Sequence, residues 1–111
     1  MANQNAQVLI NVTNGEVLLD YSELRKAVMV LRAVNHKLRQ DIVALLSNNE
    51  QMTVTDIYIK LRLEQSVASQ HLAILRKAQI VNTTRNGKFI YYSLNPDRLA
   101  HISALVEDLI D

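Results

Sequence analysis

Apolar residues recur along most of this chain at the three-and-four spacing of amphipathic helices, and residues that start or stop helices separate the runs. The first run opens at Asp20-x-x-Glu23, a capping-box pattern, and carries Leu24, Ala27, Val28, Val30, Leu31 and Val34. These positions cover more than one face, so a single packing partner leaves some of them exposed. Asn35 is read as the cap of a second helix to about Leu46, with Leu38, Ile42, Leu45 and Leu46 inward; Ser47-Asn48-Asn49 ends it. Thr53-x-x-Asp56 starts a short third helix that buries Val54, Ile57 and Leu61. A turn at Arg62-Leu63 leads into a fourth, about Glu64 to Lys77, where Ala68, Leu72 and Leu75 form one core-facing stripe.

The pattern then changes period. Ile80–Arg85 and Lys88–Leu94 are rich in strand formers, and the Asn86-Gly87 between them is a strong hairpin signal. A two-residue turn there sets Arg85 opposite Lys88, and two like charges side by side cost stability unless an anion lies between them. The plainer reading is that both point into water. Asn95-Pro96-Asp97 starts the last helix, with Asn as cap, Pro in the first turn and an acid at the positive end. That helix runs to about Ile110 on a wide stripe of Leu99, Ile102, Leu105, Val106, Leu109 and Ile110. The N-terminal residues 1–17, rich in Asn and Gln, read as a flexible tail with an extended patch at Val8–Val12, ahead of one folded unit over 18–111. The expected fold class is mainly α with a small β-hairpin: five helices plus a two-stranded wing, a winged helix-turn-helix. Such a layout lays one helix in a DNA groove and the ribbon on the neighbouring backbone.

At 111 residues with 49% hydrophobic content, the chain has material for one modest core. Only four Tyr and one Phe are present, so that core is aliphatic. With no cysteine, disulfides and thiolate metal sites are excluded. No apolar run reaches the roughly 20 residues of a membrane span, which makes a cytoplasmic protein the default expectation. The net charge of +1 hides a split: Lys37–Lys88 holds eight Lys/Arg against four Asp/Glu, whereas Arg98 after Phe89 faces Asp97, Glu107, Asp108 and Asp111. Basic charge therefore sits on the candidate DNA-binding region, though a plain solvated surface can show the same split. No Gly-rich phosphate loop and no clustered His is present, so an enzyme is not expected.

The outward face of the fourth helix carries Gln65, Ser66, Ser69, Gln70, Ala73, Arg76 and Lys77. Ser and Gln suit hydrogen bonding to phosphates and base edges, and Gln can hold adenine bidentately. The very apolar first and last helices point to a two-fold dimer seam of Leu24, Val28, Leu31, Leu99, Ile102, Leu105, Val106 and Leu109. The alternative is that both helices only close the monomer core. A second functional reading is a winged helix used for protein–protein contact without specific DNA binding, which should show exposed apolar residues on the recognition face.

Four pieces in order, from Leu24 to the C-terminus, resemble the ArsR/SmtB family of small bacterial winged-helix repressors. Asn35-His36-Lys37-Leu38-Arg39-Gln40-Asp41-Ile42 is similar to the stretch opening its second core helix. Thr53-Val54-Thr55-Asp56-Ile57 stands where many members have a metal-binding Cys-x-Cys-Asp-Leu. Gln65-Ser66-Val67-Ala68-Ser69-Gln70-His71-Leu72-Ala73-Ile74-Leu75 resembles the recognition helix, and Arg85-Asn86-Gly87-Lys88-Phe89-Ile90-Tyr91-Tyr92-Ser93-Leu94 the wing and following strand. The resemblance implies a homodimer that binds a pseudo-palindromic double-stranded DNA operator and represses transcription, with an effector left unidentified. It implies reading residues Gln65, Ser66, Ser69 and Gln70, with Val67 offering a methyl surface to thymine. His71 is expected at the edge between core and groove, either packed on the hairpin or touching DNA. Lys37, Arg39, Arg76, Lys77, Arg85, Asn86 and Lys88 are candidate DNA contacts, and Arg39 has an acidic partner as its other expected role.

The departures bear on the effector. Thr53 and Thr55 are neutral hydroxyls where members carry thiolates, and they suit soft metals poorly. Pro96 and Arg98 hold counterpart positions of the family's Asp/His site on the last helix. Asp97, His101 and Asp108 share one helical face as a weak zinc or nickel candidate, more simply read as a solvated face. No cofactor is expected. Glu64 stands at a capping position where Ser is usual, and Gln79 where a Gly usually ends the recognition helix, so that turn is expected to be strained or differently shaped.

Overall fold

The computed structural model describes residues 7–13 and 15–111. The elements follow in the order β1 (Gln7–Val12), β2 (Gly15–Asp20), α1 (Tyr21–Val34), α2 (Lys37–Ser47), β3 (Met52–Thr53), α3 (Val54–Leu61), α4 (Gln65–Lys77), β4 (Val81–Asn86), β5 (Phe89–Leu94) and α5 (Pro96–Ile110). Five helices and an antiparallel wing are present as the apolar periodicity requires.

Local chemistry explains most helix ends. The Asp20 carboxylate accepts from the N–H groups of Ser22 and Glu23 and starts α1. Bonds from the Gln7 side chain, the Ser22 hydroxyl and the nearby amides hold that carboxyl down at about 2. At α3 both halves of the capping box form: Thr53 Oγ1 accepts from the Asp56 N–H at 3.1 Å, and the Asp56 carboxylate accepts from the Thr53 N–H at 3.3 Å. Asn95 Oδ1 accepts from the Arg98 N–H to start α5, with Pro96 in its first turn.

Two expectations are corrected and one strand is added. His36, not Asn35, caps α2: its Nδ1 accepts from the Leu38 N–H at 3.1 Å, while Asn35 closes α1 by donating to the Arg32 carbonyl. The two-stranded wing, β4 and β5, is present as expected, and a short strand outside that expectation, β3, joins it in the order β3-β5-β4, because Met52 and Thr53 pair with Tyr92 and Tyr91. Two residues are too short to leave a period-2 pattern, so the strand was not legible. Of the stretch expected as a tail, Gln7–Val12 and the part from Gly15 are strand, while residues 1–6 and 14 lie outside the described residues. The boundary at 17/18 falls inside β2, where Ile10 faces Val17 and Leu9 faces Leu18. Consecutive aliphatics in Val8–Ile10 and Val17–Leu19 blur the alternation that marks a half-buried strand.

The core gathers where α2, α3 and α4 meet the inner face of the sheet. Ile42, Ile57, Leu72, Leu75, Ile80 and Val81 are fully buried, and Leu45, Leu61, Tyr92 and Leu94 pack around them. Among the described residues no polar side chain is buried, and the fully buried side of α4, Ala68, Leu72 and Leu75, is aliphatic.

Candidate nucleic-acid interface

The α3–α4 turn is made by Arg62, which adopts a left-handed φ of +57°. The Leu63 N–H donates to the Tyr58 carbonyl at 2.9 Å and the Arg62 N–H to Ile59 at 3.2 Å, a Schellman closure of α3. Glu64 then leads α4 without a side-chain cap bond, so the first-turn amides have no side-chain acceptor there.

Burial of Ala68, Leu72 and Leu75 fixes the rotation of α4. Gln65, Ser66, Ser69, Gln70, Ala73, Arg76 and Lys77 are all exposed on the far side, as the helical spacing requires, while Val67 is half-buried at the edge. Ser66, Ser69 and Gln70 lie at i, i+3 and i+4, a single polar strip about one turn long, with the small Ala73 continuing the same face at i+7. Ile74 is the large apolar residue exposed on this helix.

His71 packs against the start of α2. Its ring lies 4.7 Å from that of His36, and its Nδ1 is 3.2 Å from Arg39 Nη1. Arginine has no acceptor, so His71 Nδ1 accepts and the proton of the neutral ring sits on Nε2. Desolvation, then the neighbouring His36 and Arg39, push its pKa below the ordinary histidine value. Arg39 also donates through Nε to the Ala33 carbonyl at 2.7 Å and through Nη2 to the Arg32 carbonyl at 3.0 Å. It thus ties the last turn of α1 to α4 and finds carbonyls and a histidine instead of an acid. Three of its donors are engaged within the protomer, and a DNA contact by Arg39 would compete with these bonds. The other helix-borne cations are open: Arg76 and Lys77 are exposed, and Lys37 makes a local ion pair with Asp41 at 2.8 Å.

At the wing the register differs from the expected one. Asn86 faces Phe89 and Arg85 faces Ile90, so Gly87 and Lys88 form the loop. Gly87 has φ +64° and Lys88 stays at negative φ, a glycine-first turn instead of one centred on Asn86-Gly87. Arg85 and Lys88 are therefore not cross-strand partners, and the like-charge penalty expected between them is absent. Arg85 Nε donates to the Gly87 carbonyl at 3.3 Å, and Lys88 Nζ sits 5.4 Å from the Phe89 ring centre. Both cations remain exposed at the tip.

The turn between α4 and the wing carries strain at the expected place. Gln79 holds φ +64°, its N–H donates to the Arg76 carbonyl and the Ile80 N–H to Leu75, each at 2.9 Å. A Schellman motif is thus kept without glycine. Asn95 Nδ2 and Arg98 Nε donate to the Gln79 and Ala78 carbonyls, clamping α5 onto this turn.

The dimer candidates divide. Leu24, Val28, Leu105, Val106 and Leu109 are exposed on the protomer, as an external partner requires. Ile102 is only 9% exposed and belongs to the core, with Leu31 and Leu99 packed against it; these three close the protomer instead. Asp97, His101 and Asp108 are all exposed, and no group of three or more His, Asp or Glu gathers for a metal among the described residues. The Thr53 hydroxyl is committed to the α3 cap. No helix among the described residues is long and apolar enough to cross a membrane.

Comparison with known proteins places this geometry. Residues 36–83, from the α2 cap into the wing, match the model for bacterial regulatory proteins of the arsR family. The chain is 35% identical over 82 residues to the transcriptional activator HlyU of Vibrio cholerae, covering 74% of this chain and 72% of that one. It superposes on the crystal structure of the transcriptional repressor PagR of Bacillus anthracis with a TM-score of 0.62 at 34% identity, over 78% of this chain and 99% of that one. The homodimeric winged helix-turn-helix DNA-binding domain Mb0332 from Mycobacterium bovis aligns with a TM-score of 0.66 at 26% identity, over 81% and 82%.

Proposed function

The chain belongs to the arsR family of bacterial regulatory proteins, a family of winged helix-turn-helix transcriptional regulators, and from that premise we propose how it reads DNA. A homodimer places the two α4 helices in successive major grooves, on a pseudo-palindromic operator with half-sites one helical turn, about 34–36 Å, apart. Gln65, Ser66, Ser69 and Gln70 face base edges, with Val67 at the margin against a thymine methyl. Arg76, Lys77, Arg85 and Lys88 meet phosphates, and Asn86 flanks the wing tip; Lys37 reaches the backbone only by leaving Asp41. His71 and Arg39 hold α4 at its angle. The regulator acts as a repressor by occupying its operator, through neither a thiolate nor an Asp/His metal site.

The observation that carries this reading is the exposed polar strip Ser66/Ser69/Gln70 of α4, opposite the buried aliphatics Ala68, Leu72 and Leu75. Fluorescence anisotropy on DNA from upstream of its own gene, with a scrambled duplex as control, tests it. Ser69→Ala and Gln70→Ala should each cost about tenfold or more in selective binding while leaving the fold intact. Removing Arg76, Arg85 or Lys88 should weaken both duplexes alike and lower the salt slope by about one each. Zinc and chelator should leave binding unchanged. Full binding by both α4 variants would overturn the assignment of the reading helix. A wild type with no selective binding would favour a protein partner for this face.

A further inference from the structure

The β1–β2 hairpin has two unlike faces. Antiparallel pairing puts Val8, Ile10 and Val12 on one side with Val17 and Leu19, so five aliphatics form a face without one polar side chain. The opposite face carries Leu9 and Leu18 between polar pairs, Gln7 with Asp20 and Asn11 with Glu16. None of these aliphatics is buried or packed against the core, and the hairpin's one substantial contact with the rest of its chain is where β1 meets α1. An isolated two-stranded hairpin is marginal in water, so a fully apolar face needs a cover to persist. The shape agrees: the radius of gyration is 17.7 Å, against about 13 Å for a compact chain of this length.

We propose that this hairpin is an intersubunit arm, whose Val8/Ile10/Val12/Val17/Leu19 face packs on the exposed aliphatics of α1 and α5 of a second copy of the chain. Three observations choose that occupant. The arm runs directly into α1, whose Leu24, Val28 and Met29 are exposed, so the arm adjoins the proposed dimer seam along the chain. Leu109 and Ile110, 68% and 77% exposed at the far end of α5, are further aliphatics unaccounted for by the protomer core. The arm also carries Glu16 and Asp20 and no Lys or Arg, which disfavours DNA phosphates and acidic membranes as the cover. Asp20 fixes the arm's departure from α1, bonded at once to the Gln7 side chain and to the α1 amides. The proposal rests on the homodimer reading, and its test separates the two.

The chain has no cysteine, so one introduced on the polar face by Asn11→Cys takes a spin label at a single site. Full-length labelled chain is mixed with isotope-labelled, spin-free wild type, and paramagnetic broadening is read in the latter by NMR. Sedimentation equilibrium of the wild type runs alongside. The arm predicts broadening of partner α1 and α5 signals in the mixed sample. Broadening that appears only when label and isotope share one chain, with the wild type still dimeric, overturns the arm and leaves the dimer standing. A wild type that sediments as a monomer at all concentrations overturns both. As a second reading, Ile10→Ser with Val17→Ser should raise the dimer Kd by about tenfold or more. Leu9→Ser with Leu18→Ser, removing as many aliphatics from the opposite face, should change it far less. Equal effects from the two pairs would refute a face-specific contact.

Discussion

Replacing Gln79 with glycine should stabilise the protein, and the structure sets the size of the gain. Gln79 holds φ +64° at the end of α4, inside the Schellman bonds to Arg76 and Leu75. A left-handed conformation costs an L-residue about 1–2 kcal/mol, because its Cβ crowds the following carbonyl. Glycine avoids that but gives up about 0.5–1 kcal/mol more chain entropy on folding. The balance favours Gln79→Gly by about 0.5–1 kcal/mol, or about 2–6 °C in Tm for a domain of this size. Little offsets it: the Gln79 side chain is exposed and in no hydrogen bond among the described residues, and the carbonyl that Asn95 reaches survives any substitution. Urea unfolding at fixed protomer concentration measures the change, since dimerisation would otherwise enter the midpoint. Gln79→Ala is the control, because it shortens the side chain but keeps the Cβ. A glycine variant no more stable than wild type would refute the reasoning. So would an alanine variant that gains as much, since relief of the left-handed φ could not then be the cause.

Arg39→Met should destabilise the fold by about 2 kcal/mol in urea unfolding, as three charged hydrogen bonds to Ala33, Arg32 and His71 are lost; unchanged stability with a shallower salt slope on DNA would make it a phosphate contact instead. For His71, the lowered pKa means that the unfolded chain binds the proton more readily. Stability should therefore be full above the ordinary histidine value of 6.5 and fall as pH drops below it. Denaturation between about pH 5 and about pH 8 should show that slope, and His71→Gln should remove most of it. Ile102→Ala should cost about 2–4 kcal/mol even where the protein is dilute, whereas Leu109→Ala should leave the protomer untouched and act only on sedimentation, because one side chain is in the core and the other outside it.

The sequence by itself determined the helices, their order and the face that α4 turns outward. Those follow from short-range rules: caps at Asp20, Thr53 and Asn95, a 3.6-residue period, and Leu72 and Leu75 one turn apart. The resemblance to the ArsR/SmtB family pointed to a strained turn at Gln79, where a Gly usually ends the recognition helix, and the positive φ is found there. Contacts between distant residues were decided only in the tertiary structure. Asn86-Gly87 is a hairpin signal in either of two registers, and the burial of Val81 with its partner Leu94, together with the pairing of Met52 and Tyr92, selects the one that moves Lys88 into the loop. Arg39 looked like any basic residue near a recognition helix until the α1 carbonyls came within reach of its guanidinium. Ile102 and Leu109 belong to one apolar stripe in the sequence, and only the placement of α5 against the core buries the first and leaves the second for another surface. Periodicity fixes which side chains share a face; what covers that face depends on elements dozens of residues away.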